Sequence, residues 1–180
     1  MVSMSLDMST TCIGWSMWED DNLLDYGKLK PLEDKLEWRE RIQNFVPQLH
    51  NLMKKYMPSK VYCEDVPLMG RQNKVLVQLG AMQGMALGLC YSHNVEVYFK
   101  AVGTWRKDIG ISCGEKDRDH MKIKSIEKAN ELFGLNLNCV LTKSGNYNGN
   151  KSDDDIADSI LIYASTRDKY KVEQKHFGRR

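Results

Sequence analysis

VSMSLDMSTTCIGWSMWEDDNLLDYGKLK, residues 2–30, is the stretch whose reading decides the fold. Residues 2–8, 13–18 and 22–30 are short runs rich in strand formers, separated by Ser/Thr and Asp/Asn punctuation that suits turns. Three strands joined so tightly predict an antiparallel meander. Beyond residue 30 the pattern changes. Trp38, Ile42, Phe45, Leu49, Leu52 and Tyr56 step by threes and fours, which predicts a helix from about residue 33 that Pro47 should kink or interrupt. KVYCED then reads as a strand ending at Glu64, and residues 72–92 return to helical spacing. VEVYF, residues 95–99, predicts another strand. A short helical piece around 104–109 and a charged helix over about 117–133 follow, and the breaker-rich KSGNYNGNKS, residues 143–152, precedes a last helix near Asp153. A meander followed by alternating strands and helices predicts an α/β domain whose mixed central sheet, a three-stranded antiparallel meander plus parallel strands, is flanked by helices.

With 180 residues, 42% hydrophobic and 28% charged, the chain has enough apolar content for one cored domain, and wholesale disorder is excluded. The expected division is residues 1–166 as the domain and 167–180 as a basic tail, in which six bases face two acids. Five cysteines, each more than twenty residues from the next, form no CxxC pair and read as reduced thiols. There is no signal-peptide pattern and no run of eighteen apolar residues, so the expectation is a soluble cytoplasmic protein without a membrane partner.

Within this frame the acids stand out. Asp7 lies in an apolar strand, Glu64 ends another, and Asp155 and Asp158 share one face of the last helix. Burying a carboxylate costs several kcal/mol unless a cation or hydrogen-bond donors compensate it. Convergence on metal ions is one reading. The bland ones are an acid on the exposed side of an edge strand for Asp7, and a capping box of Ser152 with Asp155 for the helix. Gly80, Gly84 and Gly88 repeat every fourth residue along one helix face, where each costs about 1 kcal/mol relative to Ala, so a close backbone neighbour is expected. That neighbour is either the protein's own sheet or a second copy of the chain.

The order of D-x-S-T-x-x-x-G-W at 7–15, E-D-V-P at 64–67 and D-I-A-D-S-I-L-I at 155–162 resembles RuvC-type Holliday junction resolvases. LGAMQGMALG, residues 79–88, is similar to that family's glycine-containing helix, and VGTWRKDIG, 102–110, to its bacteriophage-encoded branch. The resemblance implies an RNase H-like fold, a homodimer, branched DNA as partner, and Asp7, Glu64, Asp155 and Asp158 as catalytic ligands of two Mg²⁺ or Mn²⁺ ions roughly 4 Å apart. The family often carries an aromatic wedge in the loop after the second acid. Here that loop reads VPLMGRQN, leaving Leu68 or Met69 as apolar wedges and Arg71, Gln72 and Asn73 as DNA contacts.

Further expected DNA contacts are Ser9 in the hydroxyl-rich turn and the bases Lys74, Lys100, Arg106, Lys107, Lys116, Arg118, Lys122 and Lys151, since phosphates are bound chiefly by Lys and Arg. Two rivals share these features. DMSTTCIG also resembles the first phosphate loop of actin-like and sugar-kinase ATPases, of which the chain would be a fragment, and a branched-DNA binding module would leave cutting to a partner.

Overall fold

A computed structural model describes residues 1–33, 35–66, 73–111 and 117–172. Strands β1 (Val2–Met8), β2 (Ile13–Glu19), β3 (Asn22–Leu29), β4 (Lys60–Glu64) and β5 (Glu96–Lys100) form one sheet in the order β3-β2-β1-β4-β5. The first three run antiparallel, and β4 and β5 extend the sheet parallel to β1. This is the mixed sheet expected. Helices α1 (Trp38–Tyr56), α2 (Asn73–Ser92), α3 (Val102–Asp108), α4 (Arg118–Phe133) and α5 (Asp154–Ala164) flank it.

Strand alternation gives the two sheet faces opposite characters. Met4, Leu6, Ile13, Trp15, Met17, Val61 and Cys63 point to one face and pack under α1 and α2 through Phe45, Leu49, Met53, Met82 and Ala86. The other face of the two central strands carries Ser3, Ser5, Gly14 and Ser16. Small residues there leave a trough, and α5 fills it. Ten of the eleven α5 residues are buried, so this helix is the centre of the molecule rather than a surface helix. Ser16 Oγ donates to the Ser159 carbonyl at 3.2 Å. A Cβ built on Gly14 would lie 1.8 Å from the Asp155 carbonyl oxygen, so only glycine admits the first turn of α5 at this height.

Several local expectations are corrected. Helix α1 begins at Trp38 and runs unbroken through Pro47, which sits on the exposed side next to Val46. There the carbonyl that proline leaves unpaired can turn to water. Ser152 forms no capping box with Asp155. The N-cap is Asp153, and Ser152 Oγ instead donates to the Asn148 carbonyl at 2.9 Å and accepts from Val140 N at 2.9 Å. Asp7 is not on an edge, because β1 is flanked by β2 and β4. Gly80, Gly84 and Gly88 do not pack on the sheet; their side of α2 is open, with nothing within 4 Å of an added Cβ. Apart from these corrections, the first residues of the expected basic tail, 167–172, contact the domain through Arg167 Nε to Asp21 at 2.7 Å and Val172 N to the Asp108 carbonyl at 2.8 Å.

Gly14→Ala should lower stability by about 2–3 kcal/mol in chemical denaturation, since the helix must lift from the strand. Gly103→Ala, whose Cβ meets nothing within 4 Å, should be neutral or gain a few tenths of a kcal/mol, about what helix propensity gives. Equal effects of the two would show that α5 does not need the gap.

Candidate active site

Leu6 pairs with Cys63 across the parallel β1 and β4, so Asp7 and Glu64 sit one rung further, side by side at the carboxyl ends of neighbouring strands. Alternation turns both toward α5, on the side of Ser5 and Tyr62. Helix α5 then delivers Asp155 in its first turn and Asp158 three residues on, along one side of the helix. Acids distant in sequence are thus collected at the carboxyl edge of the sheet, where folds of this type place ligands.

The electrostatics record that convergence. Burial pushes the Asp7 carboxyl well above the ordinary carboxylate range, and the negative charges of Asp158, Glu64, Asp155 and Asp154 push it further. Burial also raises Asp158, with the Arg106 guanidinium pulling it partly back. Arg106 Nη2 lies 3.3 Å from Asp158 Oδ2, while Asp158 Oδ1 is buried with no hydrogen-bond partner among the described residues. Trp105, fully buried, donates its indole N–H to Glu64 Oε2 at 3.2 Å. Burial, followed by the negative charge of the neighbouring Asp155, raises the Cys12 thiol far above normal. Like charges repel, and Arg106 and Trp105 each hold one acid in place. Among the described residues no three Asp, Glu, His or Cys side chains close on a single point.

Two residues of the site were not foreseen. Asp154 is buried, ion-paired with Lys122, and receives the Tyr147 hydroxyl at 2.6 Å, so it anchors the 140–150 loop to α5. The triple-acid run 153–155 was the only hint, and helical period separates its members. Trp105 packs in the core, and its N–H also orients Glu64.

The expected DNA contacts divide. Arg106 lies among the acids, and Asn73, Lys74, Lys107, Arg118 and Lys151 are exposed. Lys100 is turned inward: its ammonium donates to the Ser165 carbonyl at 2.7 Å and Ser165 Oγ at 2.8 Å and pairs with Asp108 at 2.9 Å, which fixes the corner carrying α3. Lys122 is engaged by Asp154. The Ser9 hydroxyl shapes its own turn, accepting from Cys12 N at 3.1 Å and donating to the Cys12 carbonyl at 2.9 Å. Leu68, Met69, Arg71, Gln72 and Lys116 lie outside the described residues.

No family model matches the sequence, and no curated protein matches it. Solved structures do. Thermus thermophilus RuvC in complex with a Holliday junction substrate superposes with a TM-score of 0.66 over 90% of both chains, at 17% identity. The fold is RNase H-like. The yeast mitochondrial Holliday junction resolvase Ydc2 gives 0.56 over 91% of this chain and 76% of its own, at 13% identity. The fowlpox virus resolvase with its substrate Holliday junction DNA gives 0.52 over 91% and 96%, also at 13%. In this RNase H-like fold the acid cluster occupies the carboxyl edge formed by β1, β4 and α5.

The raised Asp7 pKa has a sign. A carboxyl whose folded pKa exceeds its unfolded one favours the fold when protonated, so without divalent ions stability is intact below the ordinary carboxylate range and falls as pH rises toward the raised value. Asp7→Asn should therefore raise Tm in EDTA at pH 8, by roughly 2–4 °C, the shift that about 1 kcal/mol produces at this size. The gain should shrink toward pH 4. A variant less stable than wild type at pH 8 would show that Asp7 is compensated inside the fold.

Proposed function

We propose that this protein is a metal-dependent endodeoxyribonuclease that nicks Holliday junctions and other branched DNA by phosphodiester hydrolysis. The observation that carries the reading is the gathering of Asp7, Glu64, Asp155 and Asp158 at one edge of a fold shared with proteins solved on junction DNA. These four acids would hold two Mg²⁺ or Mn²⁺ ions. The donor set fits, since hard divalent ions take oxygen ligands and the buried, unpartnered Asp158 Oδ1 is such a ligand. Bound there, the ions supply an activated water and charge stabilisation at the leaving oxygen. The chain's own residues do the rest. Trp105 keeps Glu64 in place, and Arg106, ion-paired with Asp158, would stand beside the phosphate to be cut. Exposed Asn73, Lys74, Lys107, Arg118 and Lys151 would contact the arms, and the sequence adds Leu68, Met69, Arg71, Gln72 and Lys116 as further contacts.

Paired nicks across a junction need two sites, and α2 supports a homodimer. Its outer face presents Val77, Leu87 and Tyr91, 59%, 45% and 87% exposed, interleaved with the three open glycines. By length and composition α2 could also cross a membrane, but Met82, Ala86 and Cys90 on its inner side belong to the domain core. A second copy of the chain is the better cover. VGTWRKDIG supports a bacteriophage-encoded origin, and the reaction would then take place in the host cytoplasm, on recombination or replication intermediates. The ATPase reading has no comparable support, because the likeness to resolvases spans 90% of both chains.

Labelled four-way, three-way and linear duplexes incubated with and without Mg²⁺ separate the alternatives. Wild type should nick the branched substrates only with the ion, while Asp7→Asn retains binding and loses at least a hundredfold in rate, about 3 kcal/mol of transition-state stabilisation. Cutting by Asp7→Asn at the wild-type rate would remove the site assignment. Sedimentation of wild type should give a dimer and of Gly84→Arg a monomer; a wild-type monomer both free and on DNA removes the dimer.

A further inference from the structure

We propose that a cleft beside Asp155, on the side away from α3, is the track for the DNA strand leaving the cut, with Lys30 and Arg41 as its phosphate contacts. The inference rests on the nuclease reading above. The cleft has a volume of about 470 Å³ and is lined by Thr11 and Cys12 after β1, by Lys30 after β3, by Arg41 in the first turn of α1, and by Asn150 and Asp155. Asp155 therefore belongs to both the acid cluster and the cleft. A phosphodiester held at the acids would continue into the cleft without changing direction across a barrier. The volume is near the lower part of the roughly 300–1,000 Å³ span of small-ligand sites, enough for one or two nucleotide units and too little for a duplex.

Charge within the cleft is divided between fixed and available groups. Lys28 is bound to the Ser152 carbonyl and pairs with Asp153 at 3.1 Å, and Lys122 pairs with Asp154. Those two cations are structural. Lys30 is exposed and its ammonium has no partner among the described residues, while Arg41 is pinned by donation from Nε to the Leu36 carbonyl at 2.7 Å. Against them stand Glu33 and Asp155. Counted over the whole lining, Lys28, Lys30, Arg41 and Lys122 face Glu33, Asp154 and Asp155, a positive balance that suits an anionic backbone entering beside the reacting phosphate. Lys30 and Cys12 share the wall of the cleft that Asp155 also lines. Lys30 follows β3 directly and Arg41 lies in the first turn of α1, so two separate elements bring these bases to the cleft that Asp155 lines.

The test uses the full chain and a fluorescently labelled four-way junction. Lys30→Ala, at an exposed position that should leave the fold intact, should weaken binding in EDTA roughly five- to tenfold at 0.1 M salt and lower the slope of log K against log [salt] by about 1. Lys30→Glu should weaken it further, and in Mg²⁺ the Lys30→Ala change should appear more in KM than in kcat. Lys54→Ala, at the opposite end of α1, should match wild type in binding. Wild-type affinity and salt slope in Lys30→Ala, from a protein that nicks junctions, overturns the cleft while leaving the nuclease reading standing. Binding lost with Lys30→Ala in a protein that nicks nothing does the reverse. Inorganic phosphate or a mononucleotide displacing the junction at equal phosphate concentration would show a small-anion site and overturn the strand track.

Discussion

Between the first turn of α5 and strand β2 there is room for the hydrogen of Gly14 and no more. Gly14 is also the register partner of Asp7, so the contact that lets the helix settle is the one that sets Asp155 above Asp7. Ser3, Ser5 and Ser16 extend the same low surface, with the Ser16 hydroxyl on the Ser159 carbonyl of the helix and the Ser5 hydroxyl on the Tyr62 carbonyl of β4. Close approach and a polar floor are thus one feature. A branched side chain at position 14 would be a good strand residue and a ruinous one here.

That approach concentrates negative charge in a place with little water. Asp7 answers by favouring its protonated form, and Asp158 is moderated by Arg106. Nothing in this arrangement serves stability. A hydrophobic cluster of the same volume would hold the sheet and α5 together at lower electrostatic cost, so packing alone does not account for the acids. The inward-turned Lys100 fits the same logic at one remove, because its three contacts fix the β5–α3 corner from which Trp105 and Arg106 reach the acids.

The strands, the five helices and the mixed sheet were legible because each obeys a local period: two for Val2–Met8, three to four for Trp38–Tyr56. The four acids were legible as oddities in those periods. What was not legible has a common cause. Lys100 and Lys122 carry the same charge as Lys107 and Lys151, and only their distances to Asp108 and Asp154 separate an internal tie from an exposed base. Asp154, next to Asp155, differs from it by one step around a helix. The glycine face of α2 could have met the sheet or the outside, and a one-dimensional pattern of small residues does not say which.

The chain by itself determined which segments are strands and helices, that acids interrupt the apolar runs, and the alternation that turns Asp7 and Glu64 to a common face, since these follow from backbone geometry and side-chain type over a few residues. Tertiary structure decided that Gly14 clears the way for Asp155, which bases are tied to internal carboxylates, and that Lys30 and Arg41 come round to Asp155. Those facts depend on separations between residues tens to more than a hundred positions apart, and electrostatic and steric energies respond to distance in space.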